Sequence, residues 1–230
     1  MNTKEKNQKK TKRIELPVRY QDFVIKNDNF VGDFEGLYQN IDDPWHQSHY
    51  DNIFDSRRVL TINWCNRLRK KYGVKKIIEL GCGFGHLTNT LSQNDFEVLG
   101  LDISKTAIEK ARILNPNSQF IQCALNEFEK IELFDADIYV MAEITWYVLD
   151  DLDAFIKNLK NQKKNRTQPI FLIHLLATFA PGIQKYGTNK FTNLNEILNY
   201  FNLDYLESGF IKTPKEYDTN SQATYFVAKI

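Results

Sequence analysis

Glu79-Leu80-Gly81-Cys82-Gly83-Phe84-Gly85 joins two runs of opposite character. Upstream, Lys76-Ile77-Ile78-Glu79-Leu80 is short, apolar and β-branched, which predicts a strand. Downstream, residues 85–93 predict a helix. The three alternate glycines let the backbone turn sharply and meet a ligand with no Cβ in the way. Outward from this turn the strand and helix signals keep alternating. Residues 96–101 predict a second strand, and Ser104 an N-cap for a helix to about residue 114, where Pro116 blocks further turns. Residues 119–123 and 136–141 predict strands, and residues 150–160 a helix. Residues 169–174 predict a fifth strand, apolar enough to be buried on both faces.

Asn193-x-x-Glu196 reads as a capping box for a helix carrying Leu194, Ile197, Leu198 and Phe201. Residues 203–211 and 223–230 are strand-like with no helix between them, so an antiparallel pair at one sheet edge is expected. Ahead of the sheet, residues 55–72 place Leu60, Trp64 and Leu68 on one helical face. Arg69, Lys70 and Lys71 fill the last turn, and Gly73 is the stop. The alternation predicts an α/β, doubly wound parallel sheet.

Asp102 closes the second strand. In Rossmann-like sheets an acid there accepts hydrogen bonds from a ribose diol. The dinucleotide fingerprint G-x-G-x-x-G does not fit, because His86 stands where it needs glycine. That spacing, with the terminal strand pair, excludes a nicotinamide oxidoreductase. E-x-G-x-G-x-G after a strand resembles motif I of the class I S-adenosylmethionine-dependent methyltransferases. Leu101-Asp102-Ile103-Ser104 resembles their motif II, and residues 134–149 their motif IV region. The resemblance spans roughly residues 55–230 and implies a seven-stranded Rossmann-like sheet. It implies S-adenosylmethionine as cofactor, with Gly81, Gly83 and Gly85 along its methionine and ribose. Glu79 would anchor that loop and reach the amino group directly or through water. Asp102 would hold the ribose hydroxyls and Ile103 would pack on the adenine. Many members carry an acid after the third strand to meet the adenine amino group. Here Ala124 and Leu125 stand there, which leaves the task to the Leu125 backbone or Asn126.

Residues 34–47, with Asp43-Pro44-Trp45, resemble the N-terminal lid of nodulation protein S-like bacterial small-molecule methyltransferases. That resemblance brings Tyr20, Trp45 and Arg57 or Arg58 onto the cofactor or acceptor; a packed surface arm is the plainer reading. The implied organisation is a disordered basic tail at 1–13, a helical lid segment at 14–54 and a methyltransferase domain at 55–230.

Methyl transfer needs alignment of a nucleophile and, for a hydroxyl, a base. His174, at the expected end of the fifth strand, is the first candidate base; it reads equally as a hydrogen-bonded core histidine. Glu143 is the second, and could instead bind cofactor or cap a helix. Trp146 and Tyr147 would wall the acceptor pocket or belong to the core.

Composition narrows the partners. Lys and Arg number 30 against 29 Asp and Glu, a net charge of +1, so no global field steers the chain to nucleic acid or membrane. No apolar run reaches membrane-spanning length, and no signal-peptide pattern follows Met1. Three scattered cysteines, Cys65, Cys82 and Cys123, fit a reducing cytoplasm. His46 and His49 beside Asp42 and Asp43 lack firm metal spacing, and no metal is expected. No Pro-Cys dipeptide exists, and Ala142-Glu143-Ile144-Thr145 stands where adenine-methylating enzymes carry Asn/Asp-Pro-Pro-aromatic. A small-molecule acceptor for O- or N-methylation is therefore expected. The abundance of Lys, Asn, Ile and Phe suggests an A+T-rich genome, and bacteria of that kind often use such enzymes on surface-polysaccharide or capsule precursors, so a sugar or phosphoramidate acceptor is the expectation. The alternative from another class is a non-catalytic S-adenosylmethionine-binding scaffold or regulator.

Overall fold

The computed structural model describes residues 19–47, 55–212 and 221–230. The expected tail at 1–13 lies outside these, as do residues 14–18 and 48–54 of the N-terminal segment, His49 among them. Seven strands form one mixed sheet: β3 (Lys76–Leu80), β4 (Glu97–Asp102), β5 (Gln119–Gln122), β6 (Ile138–Ala142), β7 (Phe171–Phe179), β8 (Asp204–Ile211) and β9 (Ser221–Lys229). Their spatial order is β5-β4-β3-β6-β7-β9-β8. The first five run parallel, while β9 pairs antiparallel with both β7 and β8. The expected terminal pair is thus present, with the last strand inserted between β7 and the edge.

Helices cover both faces: α2 (Asp55–Tyr72) and α3 (His86–Ser92) on one, α6 (Leu152–Lys164) and α7 (Leu194–Phe201) on the other. The strand pleat sorts the core. Ile77, Val140, Ile173 and Val227 pack toward Trp64 and Leu68 of α2 and Leu91 of α3. Ile78, Met141, Leu172 and Phe226 pack toward Phe155 of α6 and Phe201 of α7. Central strands buried on both faces are largely apolar, which is why β6 reads as an unbroken hydrophobic run and β3 is interrupted inside the sheet only by Glu79.

The start signals work as their chemistry predicts. Ser104 Oγ accepts from Ala107 N at 3.1 Å and opens α4 (Lys105–Leu114). Asn193 Oδ1 accepts from Glu196 N at 3.1 Å and opens α7. Gly73, at φ 75°, ends α2. A short helix, α5 (Phe128–Glu132), follows β5 and carries no clear sequence signal.

β7 departs from expectation. It runs to Phe179, so His174 lies mid-strand and not at the strand's end. Antiparallel pairing with β9 continues past the parallel partner β6 and sustains the extension: residues 176–179 face Ser221–Thr224. Ahead of the sheet, a hairpin of β1 (Ile25–Lys26) and β2 (Asn29–Phe30) leads into α1 (Phe34–Asn40). This arm crosses the ends of β3 and β4.

Candidate active site

Gly81 and Gly83 follow β3 at φ 68° and 52°, a region closed to most side chains. Each also has a neighbour that a Cβ would strike: one at Gly81 would lie 2.4 Å from Ile144 Cγ2 and one at Gly83 2.8 Å from Tyr38 Oη. Asp102, at the end of β4, closes the turn electrostatically. Its Oδ2 accepts from Gly83 N and its Oδ1 from Ser104 N, both at 2.9 Å. Burial raises its pKa to about 6 despite these bonds.

Beside this turn lies a cavity of about 730 Å³, within the range of small-molecule and cofactor sites. Gly81, Gly83, Asp102 and Ile103 form one wall. Leu125, Asn126 and Asp151 also line it, and Asn126 Nδ2 donates to Asp151 Oδ1 at 3.4 Å. Ile103 is 53% exposed, an apolar surface with open space in front of it.

The N-terminal arm roofs the cavity with aromatic rings. Tyr20 meets Trp45 at 5.7 Å, Trp45 meets Tyr147 at 5.9 Å, and Tyr147 meets Phe34 at 5.3 Å between centroids. Trp45 Nε1 donates to Tyr38 Oη at 3.0 Å, which fixes the indole above Gly83. Trp146 turns its Nε1 to Ala177 O at 2.8 Å. Opposite the roof, Glu143 sits just past β6 at φ 63°. Its Oε1 pairs with Arg57 Nε at 3.1 Å and its Oε2 accepts from Ala177 N at 2.7 Å. Guanidinium and carboxylate both line the cavity.

Three expected site residues stand apart. Glu79 is buried behind the glycine turn and accepts from Thr88 Oγ1; burial raises its pKa to about 7. It supports α3 and does not line the cavity. Gly85, at φ 74°, is the N-cap of α3 and faces Phe120, away from the cavity. His174 corrects the expected placement most. It is wholly buried, absent from the cavity wall, stacked on Phe226 at 4.6 Å and within 2.7 Å of Thr145 Oγ1. Burial lowers its pKa to about 3. Mid-strand placement aims the ring at α7 and not along the strand into the crevice.

Glu35, which the sequence reading missed, holds the arm over the site without lining the cavity. It docks α1 on the start of α4, accepting from Ser104 Oγ at 2.7 Å, Thr106 Oγ1 at 2.6 Å and Thr106 N at 3.2 Å. These bonds hold its pKa near 2. Among the described residues, no cluster of metal-ligating side chains forms and no helix is long and apolar enough to cross a membrane.

Residues 77–165 match the family model of a methyltransferase domain. That stretch of the chain resembles a methyltransferase domain. The matched stretch runs from β3 through α6 and contains the glycine turn, Asp102 and Glu143. The methyltransferase fold extends over most of the chain. N-methyltransferase NodS from Bradyrhizobium japonicum WM9, solved with S-adenosyl-L-homocysteine, is 19% identical with a TM-score of 0.57. That likeness covers 82% of this chain and 93% of NodS. Magnesium protoporphyrin IX methyltransferase (ChlM) from Synechocystis PCC 6803 is 16% identical with a TM-score of 0.54, covering 76% and 82%. The bifunctional kinase-methyltransferase WbdD is also 16% identical with a TM-score of 0.54, covering 76% of this chain and 39% of WbdD. At these identities the likenesses establish the fold. A search of curated protein sequences returns no match.

Proposed function

We propose that this methyltransferase uses S-adenosylmethionine to methylate a small molecule at oxygen or nitrogen. One observation carries the reading: Asp102 and the Cβ-free Gly81 and Gly83 stand on the same wall of one cavity. That cradle fits a ribose and the chain attached to it. Ile103, Leu125 and Asn126 fit the adenine end, and the NodS structure was solved with S-adenosyl-L-homocysteine. When bound, S-adenosylmethionine supplies an activated methyl group on a sulfonium sulfur.

The protein's part is to bind, align and exclude water. The Arg57–Glu143 pair offers a cation and an anion on one wall, matching the carboxylate and ammonium of an amino-acid tail. Tyr20, Trp45, Trp146 and Tyr147 cover the remaining space with aromatic surface, which fits an acceptor and keeps solvent out. Glu143, with one oxygen on Arg57 and the other on Ala177 N, fits the cofactor's ammonium better than a base for the acceptor, and His174 is buried away from the cavity. For the acceptor itself, a sugar or phosphoramidate precursor of surface polysaccharide rests on analogy with bacteria of A+T-rich genome, which the residue bias suggests.

Two measurements test the reading. Calorimetry should show binding of S-adenosyl-L-homocysteine and none of NAD. An acceptor panel of nucleotide sugars, phosphorylated metabolites, amines and phenols should show release of S-adenosyl-L-homocysteine with at least one class. No binding would overturn the cofactor assignment. Tight binding with no turnover across the panel would favour a non-catalytic scaffold.

A further inference from the structure

β7 acts as a rail for the segment that leaves β6. Glu143 N donates to Leu175 O at 2.8 Å. Ala177 N donates to Glu143 Oε2 at 2.7 Å, and Trp146 Nε1 to Ala177 O at 2.8 Å. The fourth link joins Thr145 Oγ1 and His174 Nε2 at 2.7 Å. The first three use β7's main chain, so they tolerate many side chains there. Only the fourth depends on which residue occupies position 174.

The ring's surroundings settle how it bonds. Phe226 stacks on it at 4.6 Å and 11°, and Phe201 closes a second side at 4.9 Å. Nδ1 is buried with no partner. A neutral imidazole carries one N–H. With the hydrogen on Nε2, Thr145 Oγ1 accepts it, a lone pair is left at Nδ1, and the threonine's own rotatable O–H is the group left to find an acceptor. In the other tautomer Thr145 donates to Nε2 and a ring N–H is orphaned at Nδ1, the costlier defect because its direction is fixed whereas a hydroxyl hydrogen can rotate. Protonation would add that same orphan donor and a buried charge.

Thr145 begins the turn Thr145–Tyr147. Tyr147 then meets the arm directly, against Phe34 and Trp45. A continuous line of contacts therefore runs from the core of the sheet to the roof of the cavity. We propose that His174 is a positioning residue: an Nε2-donating imidazole that fixes Thr145 and, through that turn, the seat on which the N-terminal arm rests. The inference rests on the cavity being the cofactor and acceptor site, which gives the arm its purpose.

The test uses the ligand-free full chain, so failure to bind S-adenosyl-L-homocysteine, which would sink the proposed function, is scored separately. Amide exchange is compared for wild type, His174→Leu, His174→Gln and Thr145→Val. The glutamine amide nitrogen stands in for Nε2. Losing one such bond should speed exchange at residues 145–148 and 34–38 by about tenfold in His174→Leu and Thr145→Val. Exchange in β3 and β4 should be unchanged, and His174→Gln should restore protection. Nitrogen-15 spectra of wild type should show a hydrogen on Nε2 and none on Nδ1. Unchanged exchange at 145–148, loss spread evenly through the sheet, no rescue by glutamine, or a hydrogen on Nδ1 would each overturn the proposal. If His174→Leu fails to fold, Thr145→Val, which keeps the shape at that site, decides the exchange result.

Discussion

At the scale of single residues, Asp102 joins two functions in one carboxylate. It fixes the glycine turn and the start of α4 through Gly83 N and Ser104 N, and it faces the cavity. Burial lifts its pKa from an ordinary 3.8 to about 6. A raised carboxylate pKa means the neutral form favours the ligand-free fold. That stability is full below about 3.8 and lost as pH rises through about 6. Glu79 has the same sign, between 4.5 and about 7, also from burial. Compared with Asp102→Asn, ligand-free wild type should therefore lose stability from pH 4 to pH 7, by at most about 3 kcal/mol at about 1.4 kcal/mol per pKa unit. Denaturant titrations at several pH values give the difference; a gap that does not change with pH refutes the shift. Ligand binding has the opposite dependence, because ribose hydroxyls donate to the ionised acid. Affinity for S-adenosyl-L-homocysteine should fall about tenfold between pH 8 and pH 5. Asp102→Ala should weaken binding by roughly 1.5–3 kcal/mol at neutral pH, with calorimetry as the check on both.

At the scale of elements, the contact that matters most for the arm is α1 on α4. Glu35 brings a carboxylate to the first turn of α4, where free N–H groups and the helix dipole favour an anion. Two hydroxyls and one backbone N–H of α4's start converge on it. Lys110 Nζ adds a bond to Tyr38 O at 2.9 Å. With its pKa held near 2, Glu35 stays ionised at any physiological pH. Its contribution is present above about 4.5 and lost only as pH falls toward 2. Glu35→Ala should destabilise the protein by about 1–2 kcal/mol, the range for losing a helix cap. It should also speed exchange in residues 34–40 while leaving β3 and β4 protected. A variant as stable as wild type, with its arm equally protected, would show that the arm is held by ring packing alone. The sequence signals Glu35 poorly for a physical reason. Its partners lie 69 and 71 residues away, and nothing local about a glutamate early in a helix distinguishes a clamp from a solvated charge.

At the scale of the whole molecule, what was legible in the sequence follows the range of the forces involved. Strand order, the glycine turn and Asp102 rest on local patterns: apolar runs, caps, and an acid at a strand end. In the structure Gly81, Gly83 and Asp102 line one cavity with Ile103, Leu125, Asn126, Tyr20, Trp45 and Arg57, which the family resemblance implies, and with Glu143, Trp146 and Tyr147. His174 was misplaced because the length of β7 is set by β9, which comes some fifty residues later in the chain. Glu79 and Gly85 belong to the motif but support it from behind. An arm on one side and the ends of the central strands on the other should make cofactor binding a stabilising event for the entire chain. Ligand at 100 times its dissociation constant adds about 2.7 kcal/mol. For a chain of this length each kcal/mol moves the melting midpoint by about 2–4 °C. S-adenosyl-L-homocysteine should therefore raise the midpoint by about 5–10 °C, with exchange slowed at Trp45 and across residues 34–40. NAD should leave the midpoint where it is, since the third glycine of its fingerprint is replaced by His86. The same ligand added to Asp102→Ala should give a much smaller rise. A full rise in that variant would place the ligand elsewhere, and a rise without protection at residues 34–40 would mean that the arm does not close on it.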